Sequence, residues 1–449
     1  MKTNDRPTPR SRVVLITVVL AVLGMSLPAS AMHGDRPDTT RNLHAMGHIE
    51  EQRSLFGGED GTLDRNIHTD LAFWGKYAFQ GNWDGFTIRD IRAPGNPRTI
   101  SHTPCDGNQG DIVVWDDILV RSWNAPAGSG LPFGTGTTCA GEDVPLGWQG
   151  VHVFDISDKT TPELVASVET DCGSHTATGV PDLDNDRLLI YNNSSVAACP
   201  GIDLIEVPLA SPDEAEQIGF IDAAGRHCHD TSVILGDAML AACAGADGFT
   251  MFDLSESLTE PEVLYSESIP GVTIGHSSSF SWDGEIVVFG HEPGGGVDAR
   301  CQETSAEIDR TMFFYDAREG EELGRFVFER FQGPTENCTL HNFNVVPLRT
   351  DRNILVHGSY MAGTGVIDFT DPTDPVEIAW SDMEPLPVPP ESPFGMDVGG
   401  AWSTYWYNGF LYESNINEGL NVFRFSGREM ASQLRLSHLN PQTQEFTLP

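Results

Sequence analysis

Histidines recur at one position of a repeated pattern in this chain, just before the strand that opens each repeat. An imidazole at such a place can bind a transition metal or hydrogen-bond to a neighbouring repeat. If the repeats close into a ring, their inner strands converge on its axis, and histidines at the strand starts can share one centre. The candidates for this histidine ring are His68, His175, His229, His276 and His341.

Two interpretations of these histidines stay open. In the first, they hold iron, copper or zinc, and the carboxylates of Asp70, Asp230 and Glu292 orient the ring N–H groups. In the second, duplication of one repeat has copied a histidine that stabilises each repeat through hydrogen bonds. The sequence contains no tight ligand spacing such as HExxH to decide between them.

The cysteines are predicted to form disulfides at the same end of the molecule as the histidines. Half of them lie just before inner strands and half near the loops after second strands, which antiparallel pairing brings to one face. Thiolate metal ligands are the alternative, but an oxidising compartment disfavours free thiols. Sequential pairing follows as Cys105–Cys139, Cys172–Cys199, Cys228–Cys243 and Cys301–Cys338.

Long loops are expected on this face as well, at residues 124–147, 194–201 and 293–310. Loops of such length are usually functional or disordered. The run Gly294–Gly295–Gly296 would let the backbone approach a ligand closely. The loop-rich, histidine-lined end is therefore the predicted functional face.

A short unit positions these residues: a glycine, four residues that are mostly apolar, and an acidic residue five positions after the glycine. Copies begin at Gly85, Gly150, Gly201, Gly248, Thr311, Gly363 and Gly419, although the fifth lacks the glycine and the seventh lacks the acid. A hairpin pattern precedes several units and a further strand follows most of them. The sequence thus predicts an all-β, seven-bladed β-propeller with four-stranded blades, and a six-bladed ring with one loose repeat is the alternative.

The last repeat lacks a fourth strand of its own. Residues 43–50 resemble the outer strand at residues 217–223, so the N-terminal strand is predicted to complete the last blade and close the ring. The expected organisation is a signal peptide at residues 1–31, a flexible segment at 32–42, the propeller at 43–427 and a C-terminal tail at 428–449.

Four stretches resemble bacterial LVIVD-repeat proteins. They are Gly365-VIDFTD-Pro372, Cys228-HDTS-Val233, residues 276–296 and His341-NFNVV-Pro347, and the resemblance extends over about residues 43 to 445. It implies an exported propeller at the cell surface or beyond, and it implies no single activity. The units at Thr311 and Gly419 depart from the repeat pattern.

The N-terminus is typical of a secretory signal. Arg10 and Arg12 precede an apolar run at residues 13–27, and the small residues 29–31 form a cleavage site. A retained anchor is the alternative, but the run is shorter than the ~20 residues of a spanning helix. The net charge of −39 disfavours nucleic acid and anionic membranes. We expect a secreted or extracytoplasmic protein with no membrane insertion after signal cleavage.

Two functions fit these features. The first is an exported propeller that binds a small molecule or a surface protein through its histidine-lined face. The second is a metal-dependent oxidoreductase with iron or copper held by the histidine ring. No GxSxG, Walker or dinucleotide fingerprint occurs in a supporting context, so no other chemistry is indicated.

Overall fold

The computed structural model describes residues 39–51, 55, 67–130, 134–390 and 392–448. Within these residues the chain forms β-strands and three-residue 3-10 turns and no α-helix, so the predicted all-β class is confirmed. The predicted signal peptide lies outside the described residues, and the predicted flexible segment is described only from residue 39. No described helix is long and apolar enough to cross a membrane.

Strands form where β-branched and aromatic residues alternate between tight turns. The first hairpin shows why: Gly75 takes a φ of 58°, a left-handed conformation that a glycine adopts without strain. The two strands that it joins, His68–Trp74 and Tyr77–Asn82, then pair antiparallel. Both are almost wholly buried, which is expected for strands covered on two faces.

Four antiparallel strands make up each of the repeated units, which we number as meanders in chain order. Meander 1 is His68–Trp74, Tyr77–Asn82, Gly85–Asp90 and Arg98–Pro104; meander 2 is Ile112–Trp115, Ile118–Trp123, Gly150–Asp155 and Glu163–Glu169. Meander 3 is Thr176–Asp182, Arg187–Asn193, Ile202–Pro208 and Glu216–Ile221; meander 4 is Asp230–Ile234, Leu240–Gly245, Gly248–Asp253 and Glu262–Ser268. Meander 5 is Gly275–Phe280, Ile286–His291, Thr311–Asp316 and Glu322–Val327; meander 6 is Asn342–Val345, Ile354–Gly358, Thr364–Asp368 and Val376–Ser381. Meander 7 is Ala401–Tyr407, Phe410–Asn415, Gly419–Phe425 and the N-terminal strand Leu43–Glu50.

The remaining elements are short. Thr138–Cys139 pairs with Glu142–Asp143 in the loop of meander 2. The strands His438–Leu439 and Thr443–Gln444 lie in the C-terminal tail. The 3-10 turns are Leu183–Asn185, Pro212–Glu214 and Ile308–Arg310.

The first strands of the meanders meet one another. Each contacts the first strand of the meander before it and of the meander after it, and meander 7 contacts meander 1. Meanders 6 and 7 also join into one eight-stranded sheet through a parallel contact between Asn342 and Ser403. The starts of the first strands are thereby brought around a common axis.

The N-terminal strand completes meander 7, as predicted. Leu43–Glu50 pairs antiparallel with Gly419–Phe425, with one bulge between Ala45 and Gly47. The side chain of Leu43 is 3% exposed and belongs to the core of meanders 6 and 7. Because this pairing covers the edge of the last sheet, it removes unpaired backbone groups that would otherwise face solvent.

Apolar side chains fill the spaces between adjacent meanders. Phe86 and Phe154 meet edge to face, with ring centroids 5.0 Å apart, between meanders 1 and 2. Phe314 and Phe369 stack at 5.0 Å between meanders 5 and 6. Each meander therefore buries both faces against its neighbours, which explains the apolar character of the second and third strands.

The C-terminal tail crosses the axis at the end opposite the histidines. His438–Leu439 pairs with the first strand of meander 1, and Thr443–Gln444 pairs with that of meander 4. The Asn440 amide bonds the backbone N–H and C=O of Val114, in meander 2. The Gln444 amide does the same at Phe280, in meander 5. The tail thus links first strands that are distant in sequence.

All four predicted disulfides are confirmed, and the described residues contain no free cysteine. Such a set indicates an oxidising, extracytoplasmic environment. The pairs are Cys105–Cys139, Cys172–Cys199, Cys228–Cys243 and Cys301–Cys338.

Candidate functional site

Four of the five predicted ring histidines lie together on the axis. His175, His229, His276 and His341 stand at the starts of the first strands of meanders 3 to 6. Neighbouring rings in this order have centroids 4.3, 4.2 and 4.3 Å apart. We call these four residues the histidine cluster.

His68 is not part of the histidine cluster. Its Nε2 lies 3.0 Å from a carboxylate oxygen of Glu51, and its Nδ1 lies 3.0 Å from the Asn82 side-chain nitrogen. Glu51 also accepts hydrogen bonds from Arg89. His68 therefore stabilises meander 1 against the N-terminal strand, which is the role that the hydrogen-bonding interpretation gave to all five histidines.

Burial keeps the cluster imidazoles neutral near pH 7. It lowers the pKa of His175 to about 4 and that of His341 to about 3. Burial lowers the pKa of His229 and His276 well below the usual value, and the neighbouring rings reinforce the effect. A neutral imidazole keeps one nitrogen lone pair, which is the form that binds metals.

Hydrogen bonds fix the orientation of these rings. His341 Nδ1 lies 2.5 Å from the Trp402 carbonyl, and His175 Nδ1 lies 3.0 Å from Asn124 Oδ1. His276 Nδ1 lies 2.5 Å from Ser277 Oγ. The Nδ1 of His229 is buried without a hydrogen-bond partner.

Glu292 faces the cluster from the end of the second strand of meander 5. Its carboxylate oxygens lie 3.8 Å from His276 Nε2 and 3.4 Å from His341 Nε2. The Tyr360 hydroxyl donates to it at 2.5 Å. Burial raises the pKa of Glu292 to about 7, although the Tyr360 bond opposes this shift. Among the described residues, ligand atoms of His229, His276 and Glu292 all lie within 4.8 Å of one another.

The glycine run that follows Glu292 lets the loop backbone pack closely against Glu292 and Tyr360. Gly296 has a φ of 71°, and a Cβ there would lie 2.4 Å from the Tyr360 hydroxyl and 2.7 Å from Glu292 Oε1. Only a glycine therefore lets the loop pass so close to the carboxylate.

A cavity of about 300 Å³ opens beside the cluster. The histidine cluster and Glu292 form its polar side, together with Gln109, Asn124 and Ser195. The described residues that line it include neither lysine nor arginine. Its apolar and aromatic wall consists of Leu55, Ile67, Trp83, Ile274, Val297, Tyr360, Val398, Trp402 and Ile416.

Two of the three predicted orienting carboxylates form a separate group below the cluster. Asp70 and Asp230 lie with Asp111 at equivalent places on the first strands, and Gln442 of the tail donates to Asp70 at 3.0 Å. Burial and the neighbouring Asp70 raise the pKa of Asp230 to about 8, and they raise the pKa of Asp111 well above its usual value. Asp230 is therefore protonated in large part at neutral pH, because burial and a nearby like charge both disfavour its ionised form.

Three disulfides lie directly beside the cluster. Cys228 immediately precedes His229, and Cys172 and Cys338 each precede a cluster histidine by three residues. They fix the segments that lead into the first strands.

Sequence reasoning did not identify Tyr360, Trp402 or Asp111 as site residues. Asp111 could have been found, because it occupies in meander 2 the place that Asp70 and Asp230 occupy in meanders 1 and 4. Tyr360 and Trp402 come from loops or strand starts whose spacing differs between repeats, and no pattern marks them.

One comparison with known proteins agrees with the repeat pattern. A family model described as LVIVD repeat matches residues 144–170, so the chain carries an LVIVD repeat, which is consistent with an LVIVD-repeat family. No curated protein matches the chain. Among solved structures, it is similar to one chain of a structure of S. cerevisiae Dbp5 bound to Nup159 and Gle1 (12% identity, TM-score 0.48). It is also similar to the N-terminal domain of Nup159 (12% identity, TM-score 0.46). Each match covers 87% of this chain and 97% of the other.

Proposed function

We propose that this chain is an exported, seven-bladed β-propeller that binds a small molecule in its axial cavity. Each meander is one blade, the propeller spans residues 43–427, and the N-terminal strand closes the ring. The mutual contacts of successive first strands, including those of meanders 7 and 1, support this count. Residues 1–31 act as the signal peptide in this proposal, and the disulfides agree with export.

The observation that carries the binding function is the composition of the cavity. Its volume of about 300 Å³ is at the lower end of the range for small-molecule sites. Apolar and aromatic side chains make up most of the wall, and the polar groups converge on one side, at the histidine cluster and Glu292. Such an arrangement binds an apolar body and orients it through one polar group.

The charge of the lining selects against anions. The described lining has one carboxyl group and no lysine or arginine, and the chain carries a net charge of −39. An anionic ligand would be desolvated there without a cationic partner. In the metal-free protein we therefore expect a neutral ligand or one that carries a positive charge.

Fragment binding tests this proposal. A library of neutral, cationic and anionic fluorinated fragments is screened by ligand-observed ¹⁹F NMR, and hits are re-measured with two variants. Val297→Trp fills the cavity and should abolish binding. Val376→Trp makes the same substitution at an exposed position of an outer strand and should leave binding unchanged. If the fragments still bind to the Val297→Trp variant, or if anionic fragments bind best, the proposal is wrong.

A metal-dependent oxidoreductase is the second candidate, and the closeness of His229, His276 and Glu292 favours it. This donor set suits iron or copper. An oxidoreductase requires the bound metal to change oxidation state. The electron paramagnetic resonance signal of copper-loaded protein should disappear with ascorbate and return in air. A signal that persists through this cycle excludes the redox role.

A further inference from the structure

We propose that one divalent transition-metal ion binds between His229, His276, His341 and Glu292, at the polar side of the axial cavity. The ion would be held by three imidazole nitrogens and one carboxylate. This site supplies the metal that the second candidate function requires. It does not depend on that function or on small-molecule binding.

The donor atoms of His229, His276 and Glu292 lie nearly close enough together for a single ion. Ligands at about 2.0–2.1 Å from a tetrahedral zinc ion are about 3.3–3.4 Å apart. His341 Nε2 lies 3.4 Å from Glu292 Oε1 and His276 Nε2 lies 3.8 Å from Glu292 Oε2. Ligand atoms of His229, His276 and Glu292 all lie within 4.8 Å of one another. These separations exceed the spacing around an ion by up to about 1.4 Å, and His341 lies outside this group of three. The side chains must therefore move closer together for all four to bind.

Two imidazoles already direct a lone pair toward Glu292. His341 Nδ1 faces a backbone carbonyl, which only accepts, so Nδ1 carries the proton and Nε2 keeps its lone pair. Ser277 Oγ donates to the His341 carbonyl, so it accepts from His276 Nδ1, and His276 Nε2 keeps its lone pair. Two unprotonated nitrogens and an ionised carboxylate are all hydrogen-bond acceptors, so they gain little from one another. A cation between them and Glu292 satisfies all three groups.

His229 provides an independent observation. Its side chain lies among the other cluster residues and is only 6% exposed, yet its Nδ1 has no hydrogen-bond partner. A buried polar atom without a partner costs free energy, because it has lost its hydrogen bonds to water. Coordination of a metal by Nδ1 would remove this cost.

The environment lowers the cost of placing an ion here. The described residues that line the adjoining cavity include neither lysine nor arginine, so no such side chain there repels the metal. Tyr360 holds the carboxylate of Glu292 in place. The cavity lies directly beside these ligands, so a further coordination position can remain open to a bound molecule.

Metal binding is tested with tag-free protein that has been dialysed against EDTA. Zinc is measured by equilibrium dialysis, and Co(II) is followed through its visible d–d bands. We expect one equivalent of either metal. His276→Ala and Glu292→Gln should each lower zinc affinity at least about 100-fold, since even loss of groups that orient a ligand costs 10–100-fold.

His357→Gln is the matched control. His357 is also fully buried beside a carboxylate, with its Nε2 3.6 Å from Glu377, but it lies outside the cluster. The zinc affinity of the His357→Gln variant should equal that of the parent chain. Circular dichroism checks folding, and His276→Gln replaces His276→Ala if the alanine variant does not fold.

Three results would overturn the site: less than half an equivalent of zinc in the parent chain, stoichiometric binding that survives both cluster variants, or equal loss in the His357→Gln control. Fragment binding is measured on the metal-free protein. Its failure therefore refutes the cavity as a ligand site and leaves the metal site to be judged by the zinc data.

Discussion

At the scale of single residues, Glu292 is the group on which the site converges. It accepts from Tyr360, it faces two imidazoles, and Gly296 packs against it. Because it is buried, its orientation is set by these few contacts and not by solvent. Removing one of them should therefore change how well the site binds a cation.

Tyr360→Phe removes the hydroxyl that orients this carboxylate. We expect zinc affinity to fall by about 10–100-fold, the usual effect of losing a group that positions a metal ligand. Tyr407→Phe is the control, because its hydroxyl donates to the carbonyls of Gly75 and Ser437 at the other end of the molecule. Equal affinities in the two variants would show that Tyr360 does not position Glu292.

Glu51→Gln tests the carboxylate that holds His68 and Arg89. Burial alone would raise the pKa of Glu51, but hydrogen bonds from His68 and Arg89 lower it well below the ordinary value of 4.5. A carboxyl group with a depressed folded-state pKa stabilises the fold above its unfolded pKa, and this contribution is lost as the pH falls. We expect the variant to be about 1.5–3 kcal/mol less stable at pH 7. Urea unfolding should show this difference shrinking between pH 5 and pH 3, and a constant difference would contradict the assignment.

The common position of the histidines was readable from the sequence for four of the five. Each cluster histidine directly precedes the residue that occupies, on its own first strand, the position of Asp230 in meander 4. In meander 1 this position is Asp70, and His68 precedes it by two residues. A strand turns a side chain to the opposite face with each residue, so this offset takes His68 out of the cluster. The offset becomes visible only in the pairing register, where Leu71 opposite Gln80 corresponds to Thr231 opposite Cys243.

At the scale of elements, the N-terminal strand depends on a glycine. A Cβ at Gly47 would lie 2.1 Å from the Pro94 carbonyl oxygen and 2.9 Å from Pro97. Both neighbours belong to the turn between the third and fourth strands of meander 1, which has little freedom to move. The strand therefore packs closely on meander 1 while it pairs with meander 7.

Gly47→Ala should lower stability by about 1–3 kcal/mol, the usual cost of an extra methyl group in a filled space. Gly130→Ala is the control, since a Cβ there meets nothing within 4 Å. Thermal unfolding of the two variants measures the difference. If both melt like the parent chain, the N-terminal strand is not held against meander 1.

The strands were predictable because most repeats show the same hairpin pattern, short unit and following strand. The cysteine pairs followed from the antiparallel pairing of the first and second strands. The contacts of the tail were not predictable. Asn440 and Gln444 contact meanders 2 and 5 through single side-chain amides, and such bonds leave no periodic pattern in the sequence.

At the scale of the whole molecule, the tail connects meanders that are not neighbours in sequence. Gln444→Ala would leave the buried N–H and C=O of Phe280 without their partners, and each such loss costs about 1–3 kcal/mol. We expect a clear decrease in the urea midpoint. Gln217→Ala, at an exposed outer strand, should change stability by no more than about 0.5 kcal/mol. If the Gln444→Ala variant and the parent chain have equal urea midpoints, the tail does not stabilise the first strands around the axis.

The pairing of the N-terminal strand also has a consequence for biosynthesis. His44 and Ser426, whose side chains hydrogen-bond, are 382 residues apart. At about 5–20 residues per second, Leu43–Glu50 must wait roughly 20–75 s for its partner strand to be translated. Throughout that interval its backbone groups can pair with another nascent chain. Two chains made side by side can therefore complete each other's last sheet, and a strand-swapped dimer is the misassembly that this topology favours.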